Sequence, residues 1–201
     1  MTRWRATPRQ LAILLAGLWL FGTGEALLVE SELGNSPWTV LAEGVSEQTG
    51  LDIGTATVAI SFAVLAMWIP LRERPGLGTI ANAIVVGVAI GVTVELVPST
   101  DELPLRAGEV IVGIAIVAIG SGLYLMTRLG AGPRDGLMLG LHRRTGLSVR
   151  LVRTVLETGV TAAGFVLGGT VGIGTLAFAL GIGPAVQAAL GVLSQTPAHE
   201  L

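Results

Sequence analysis

The chain has 201 residues, 51% hydrophobic and only 13% charged, with a mean hydropathy of +0.75 and a formal charge of −2. Soluble domains carry about 25% charged residues, so this is the composition of a membrane protein. All 12 basic residues are Arg and there is no Cys, which excludes disulfides, thiolate metal sites, Cys nucleophiles and a Walker-type phosphate loop.

The predicted elements follow from apolar runs of about 20 residues, the length that crosses a bilayer. Arg3, Arg5 and Arg9 precede the first span, 11–32. This start has the outline of a signal peptide, but its apolar run continues to Val29 and outlasts an h-region, so it is expected to be retained. Glu25 lies well inside this span with no basic partner on it. An ionisable group at that depth is a functional candidate by default. The stretch LGNSP at 33–37 then stops the helix. Ser36 reads as an N-cap and Pro37 as the first helical residue of a short segment, 37–48, which Thr49-Gly50 closes. Spans 52–71 and 77–97 complete the first half, the former carrying Thr57 and Ser61.

The fourth span, 107–127, is followed by LGAGP at 129–133, a second break of the same kind. The next short segment, 133–145, opens with Arg134-Asp135 and ends with His142-Arg143-Arg144 before Thr145-Gly146. Both short segments are expected to be interfacial or re-entrant helices. Span 150–169 carries Arg153 and, one turn later on the same face, Glu157. Span 172–193 is interrupted by Gly181-Ile182-Gly183-Pro184, where a kink is expected. Residues 194–201 form a short tail. The two histidines, His142 and His199, offer no metal-ligand spacing, and no basic–aromatic patch suggests nucleic acid; neither a cofactor nor a metal is expected.

Cytoplasmic loops carry the excess of Arg. With six spans and both termini inside, every Arg except Arg106 falls on the cytoplasmic side. Glu32, Glu43, Glu47, Asp52, Asp101 and Glu102 fall outside. A five-span chain would put one Arg cluster on the wrong side.

A shift of 96 places 11–97 on 107–193 without gaps, and 21 of the 87 positions are identical. Leu33-Gly34 and Pro37 meet Leu129-Gly130 and Pro133, Thr49-Gly50-Leu51 meets Thr145-Gly146-Leu147, and Gly78-Thr79 meets Gly174-Thr175. Gly17, Gly24, Gly113 and Gly120 recur at seven-residue spacing, which allows close helix contact. Each half is span, short helix, span, span. Three spans per half is odd, so the halves enter from opposite faces. The expected fold is an all-α polytopic membrane protein of two inverted three-span repeats, 11–97 and 107–193, within one membrane domain, 1–201. Many secondary transporters are built so, with sites near the repeat interface.

The stretches LGAGPRDGLMLGLHRRTGLSVRLVRTVLET and GGTVGIGTLAFALGIGP resemble the YczE/YyaS/YitT family of bacterial membrane proteins, in its YczE-like branch. LGNSPWTVLAEGVSEQTGLDIGTA and PGLGTIANAIVVG match the family's other copy of the motif, and together they cover about 10–195. The resemblance implies a small multi-span protein of the cytoplasmic (inner) membrane. It puts Gly132, Pro133, Arg134, Asp135, Arg153, Glu157 and Gly174-Thr175 on motif positions, and implies no substrate. The family's first copy often has an acidic residue after Pro-Trp, where this chain has Thr39.

The expected function is transport of a small polar or anionic solute, coupled to protons. The substrate-binding or coupling candidates are Glu25, Ser36, Thr39, Ser61, Arg134, Asp135, Arg153 and Glu157; the structural breaks are Gly34, Pro37, Gly130, Pro133, Gly174 and Thr175. A carrier would hold these polar residues around a cavity between the repeats. The alternative is a scaffold or regulator with a closed core, Arg153–Glu157 and Arg134–Asp135 paired, and a partner bound at the Arg-rich loop 128–150. An enzyme is not expected, for want of a metal set, a Cys or a Ser–His pairing. A homodimer would suit so thin a bundle.

Overall fold

The computed structural model describes residues 4–194; Arg3 and nearly all of the expected tail lie outside them. These residues form eight helices and no strand: α1 Pro8–Glu30, α2 Pro37–Thr49, α3 Ile53–Leu71, α4 Leu77–Leu96, α5 Leu103–Met126, α6 Pro133–Thr145, α7 Val149–Val166 and α8 Ile173–Ser194. The helix starts follow the sequence. Thr7 and Gln10 form a capping box before Pro8. Asp52 and Ser148 accept from the backbone N–H of Thr55 and Leu151. The Thr55 hydroxyl and N–H also hold the Asp52 carboxyl below the usual carboxylate range. Ser36 occupies the N-cap position of α2, but its side chain makes no capping bond.

Five helices, α1, α3, α4, α5 and α8, are long and apolar enough to cross a membrane. The sixth expected span corresponds to α7, which is shorter and carries Arg150, Arg153 and Glu157, so it falls outside that group. The large apolar side chains that remain exposed, among them Ile69, Leu96, Ile111, Leu180 and Val192, are those a bilayer would cover.

The core is built on α1 and α5. They cross backbone to backbone: a Cβ on Gly24 would lie 2.6 Å from the Gly113 carbonyl oxygen, and one on Gly120 2.6 Å from that of Gly17. Small residues at such a crossing let whole helices approach and gain dispersion along their length. α4 packs on α1, and α8 on α5. A second group joins α2 to α7, α3 to α6, α2 to α3 and α6 to α7. The Trp68 indole N–H donates to the Pro133 carbonyl at 3.0 Å and so ties α3 to the start of α6. The two groups meet mainly where α3 lies against α4.

The interval of 96 recurs in the backbone. The described residues with positive φ are Glu32, Gly34, Gly50 and Arg72, and then Arg128, Gly130, Gly146 and Gly168, each 96 residues on. Gly34 and Gly130, at φ of 112° and 134°, hold a conformation that side chains rarely adopt. Cross-links recur too: Gly78 N–H donates to the Leu129 carbonyl at 3.0 Å, and Gly174 N–H to the Leu33 carbonyl at 2.7 Å. Gly76 and Gly172 N–H groups donate to the hydroxyls of Thr79 and Thr175. The breaks predicted at Pro37 and Pro133 are first-turn prolines. In both short helices the first turn is largely buried and the last residues are exposed.

Candidate functional site

A cavity of about 380 Å³ lies between the two helix groups and receives side chains from all eight helices or their immediate approaches. Seven of the eight candidate residues line it: Glu25, Ser36, Ser61, Arg134, Asp135, Arg153 and Glu157. Thr39 stands behind Glu25.

Glu25 is almost fully buried on α1. No cation bonds it. The Ser36 hydroxyl donates to Glu25 Oε2 at 2.6 Å and the Thr39 hydroxyl donates to the same oxygen at 2.7 Å. This accompanies the missing cap of α2: the Ser36 hydroxyl is turned to the carboxylate, and its oxygen accepts from no N–H of the helix start. A buried charge needs partners, and here neutral hydroxyls supply them.

The starts of α2 and α6 meet at the cavity. Arg134 places its guanidinium carbon 5.4 Å from the centre of the Trp38 ring, a cation–π contact. Trp38 and Arg134 are 96 residues apart, so equivalent positions of the two halves touch each other. Arg134 forms no ion pair among the described residues. The expected pairing with Asp135 is absent among the described residues, and Asp135 Oδ2 accepts from the Tyr124 hydroxyl at 2.7 Å. The other expected pair does form: Arg153 Nε donates to Glu157 Oε1 at 2.8 Å.

Trp38, Asn82, Tyr124 and Gln187 also reach the cavity. Trp38 could have been found by reading opposite Arg134 in the shifted sequence; Asn82 and Gln187 carry no such signal. Phe21, Val86, Val117, Leu156, Phe178, Ile182 and Val186 give the cavity its apolar wall.

Outside the cavity, Glu43 takes the Asn35 amide N–H at 2.8 Å and the Thr170 hydroxyl at 2.8 Å, which anchors α2 to the α7–α8 turn. Asn35 Oδ1 is buried without a partner among the described residues. At the opposite end Arg143 is paired with Glu73, and Arg144 donates to the Pro70 carbonyl, so part of the Arg cluster in loop 128–150 is engaged within the chain. Arg106, the lone Arg expected outside, binds Glu32 at 2.7 Å and Asp101 at 3.3 Å.

The model of a family described as "Family of unknown function (DUF6198)" matches residues 8–190. An uncharacterized protein of Haemophilus influenzae is 44% identical over 194 residues, 96% of this chain and 89% of its own. The uncharacterized membrane protein YczE of Bacillus subtilis is 31% identical, over 82% of this chain and 78% of its own. YyaS of the same organism is 28% identical, over 80% and 82%. No solved structure matches. The apolar helices and these relatives make this a multi-pass membrane protein in contact with lipid.

Proposed function

The chain belongs to the Family of unknown function (DUF6198), and from that premise we propose a small transporter of an anionic solute, built from two three-span halves of opposite topology. The observation that carries this reading is Arg134, a cation that forms no ion pair among the described residues, at the wall of a central cavity. The starts of α2 and α6 converge there, and helix starts favour anions. The backbone features repeated at an interval of 96 support the inverted halves. In this reading α7 is the sixth span, its Arg153 and Glu157 turned to the cavity instead of lipid. α2 and α6 are re-entrant, buried start first. Both termini are cytoplasmic in the bacterial inner membrane, by the distribution of Arg.

Charge on the wall links the solute to a proton. Arg153 and Glu157 offset each other. Glu25 and Asp135 then face Arg134 with one negative charge in excess, which repels an entering anion until a carboxylate is neutralised. Glu25, held by hydroxyls and not by a cation, takes that proton, so anion and proton load together. A scaffold would have a closed core; the cavity favours the carrier.

The test is flux of carboxylates and phosphates, of short and long chain, into proteoliposomes under an imposed pH gradient. Arg134→Gln should lose flux. Glu25→Gln should keep binding but lose the response to the gradient. If the wild-type protein moves none of these solutes, and Glu25→Gln and Glu157→Gln both complement a deletion strain, the transport reading fails.

A further inference from the structure

The two halves differ at one contact. α3 packs closely on α4, whereas α7, the counterpart of α3, has no comparable packing against α8. The sequence states the cause. At the α3–α4 crossing a Cβ on Gly54 would lie 2.5 Å from the Gly87 carbonyl oxygen, and one on Gly87 2.7 Å from that of Gly54, with Gly91 alongside. The residues 96 positions on are Arg150, Gly183 and Gln187. Two of the three small residues have become large and polar, and nothing lies within 4 Å of a Cβ built on Gly183. α7 and α8 therefore cannot close as α3 and α4 do. Gly183 and Gln187 line the cavity, together with Leu156 of α7 and Ile182 and Val186 of α8. The cavity thus has a side opening between two helices whose outer faces, at Val155 and Leu180, are apolar and exposed.

We propose that the solute is an anionic amphiphile: one phosphate- or carboxylate-type headgroup at Arg134, and an alkyl chain that leaves sideways between α7 and α8 into the bilayer. This rests on the carrier reading above and names its substrate class. A cavity of about 380 Å³ is near the lower limit of ligand pockets, about 300–1,000 Å³. It takes a headgroup and the first few methylenes; a longer chain needs the opening. The ends of the molecule match the walls, with Arg134 deep in the cavity and Leu156, Ile182 and Val186 towards the gap. Once Glu25 carries the proton of the carrier reading, the excess negative charge is gone and a lipid-soluble cation has the wrong charge for the guanidinium; a small polar anion gains nothing from a gap.

The experiment uses the full chain in nanodiscs with decyl phosphate bearing a diazirine near its chain end. Photolysis should label α7 and α8 around Leu156 and Val186. Arg134→Gln should cut the labelling about tenfold or more, the loss of a charge-assisted hydrogen bond. Gly183→Trp, which places an indole in the gap, should cut it as well and keeps the test open if Arg134→Gln misfolds. Decyl phosphate should compete about a hundredfold better than methyl phosphate, since the roughly three or four methylenes held inside the cavity add about 0.8 kcal/mol each, and decyltrimethylammonium should not compete. If label spreads evenly over bilayer-facing residues such as Ile69 and Leu96, whatever stands at 134, the proposal is overturned. If methyl and decyl phosphate compete equally, the amphiphile is overturned and the anion carrier stands. If neither competes and Arg134→Gln changes nothing, the carrier reading falls with it. Complete cross-linking between copies carrying Leu180→Cys would show the gap covered by a second chain and would also overturn the proposal.

Discussion

Glu25, Ser36 and Thr39 form a unit in which two hydroxyls converge on one carboxylate oxygen. Removing one donor leaves a buried acceptor less well satisfied. Thr39→Val should therefore lower stability by about 1.5–3 kcal/mol, the range for a hydrogen bond to a charged group. Thr39→Ser should recover most of it, as read by thermal unfolding in detergent. Equal melting of Thr39→Val and wild type would mean that Glu25 does not depend on that hydroxyl. At this scale the sequence was a good guide, because an acid inside an apolar run can only be there at a cost, and Ser36 and Thr39 are, with Asn35, the polar groups of the stretch that follows it. It misassigned Ser36 as a cap, since capping is a local rule and the competing carboxylate is 11 residues away. Arg134 and Asp135, adjacent in sequence, looked like a pair, yet neighbours on a helix point about 100° apart and Tyr124 takes Asp135 instead.

Among the elements, glycine decides which helices touch. Gly24 lies where α1 meets the α5 backbone, whereas Gly183 faces open space. Gly24→Leu should force α1 and α5 apart and abolish monodisperse protein. Gly183→Ala should be tolerated and gain up to about 1 kcal/mol of helix propensity, measured as a higher melting temperature; equal behaviour of the two would contradict the packing described. The seven-residue glycine spacing marks close helix contact without naming the partner, and the structure makes it the α1–α5 crossing. The α3–α4 contact was not legible, because Gly54, Gly87 and Gly91 are scattered across two helices and read singly as ordinary membrane glycines. A crossing by α7 is expected from apolar length and from the distribution of Arg, whereas Arg150, Arg153 and Glu157 set this helix apart from the five apolar ones.

For the whole molecule, the side on which each loop lies is open to direct measurement, since the chain has no Cys of its own. Single cysteines at the exposed positions Ser99, Leu147 and Val171 should divide as follows. An impermeant maleimide added to intact cells should label Ser99→Cys and Val171→Cys, and Leu147→Cys only after permeabilisation. Val171 is the decisive position: labelling from the same side as Leu147 would mean that α7 does not cross. The eight-helix order was legible from hydropathy and breaks. The division into two four-helix groups was not, because it depends on which helices pair across the halves, and an alignment of the halves shows equivalence without contact.

The α3–α4 seam has a mechanical consequence. A body joined along one edge and free along the opposite one moves like a hinged door: angles change at the hinge, distances change at the free edge. Spin labels placed across α3 and α4 should report one narrow separation with or without ligand, while a pair across α7 and α8 should report a broad one that narrows on loading. An exchange of roles, with α7 and α8 shut and α3 and α4 apart, would have to fit Arg150 and Gln187 where the other half has Gly54 and Gly91. The door is hung on one side by its sequence, and the two halves, alike in backbone, are unequal as machine parts.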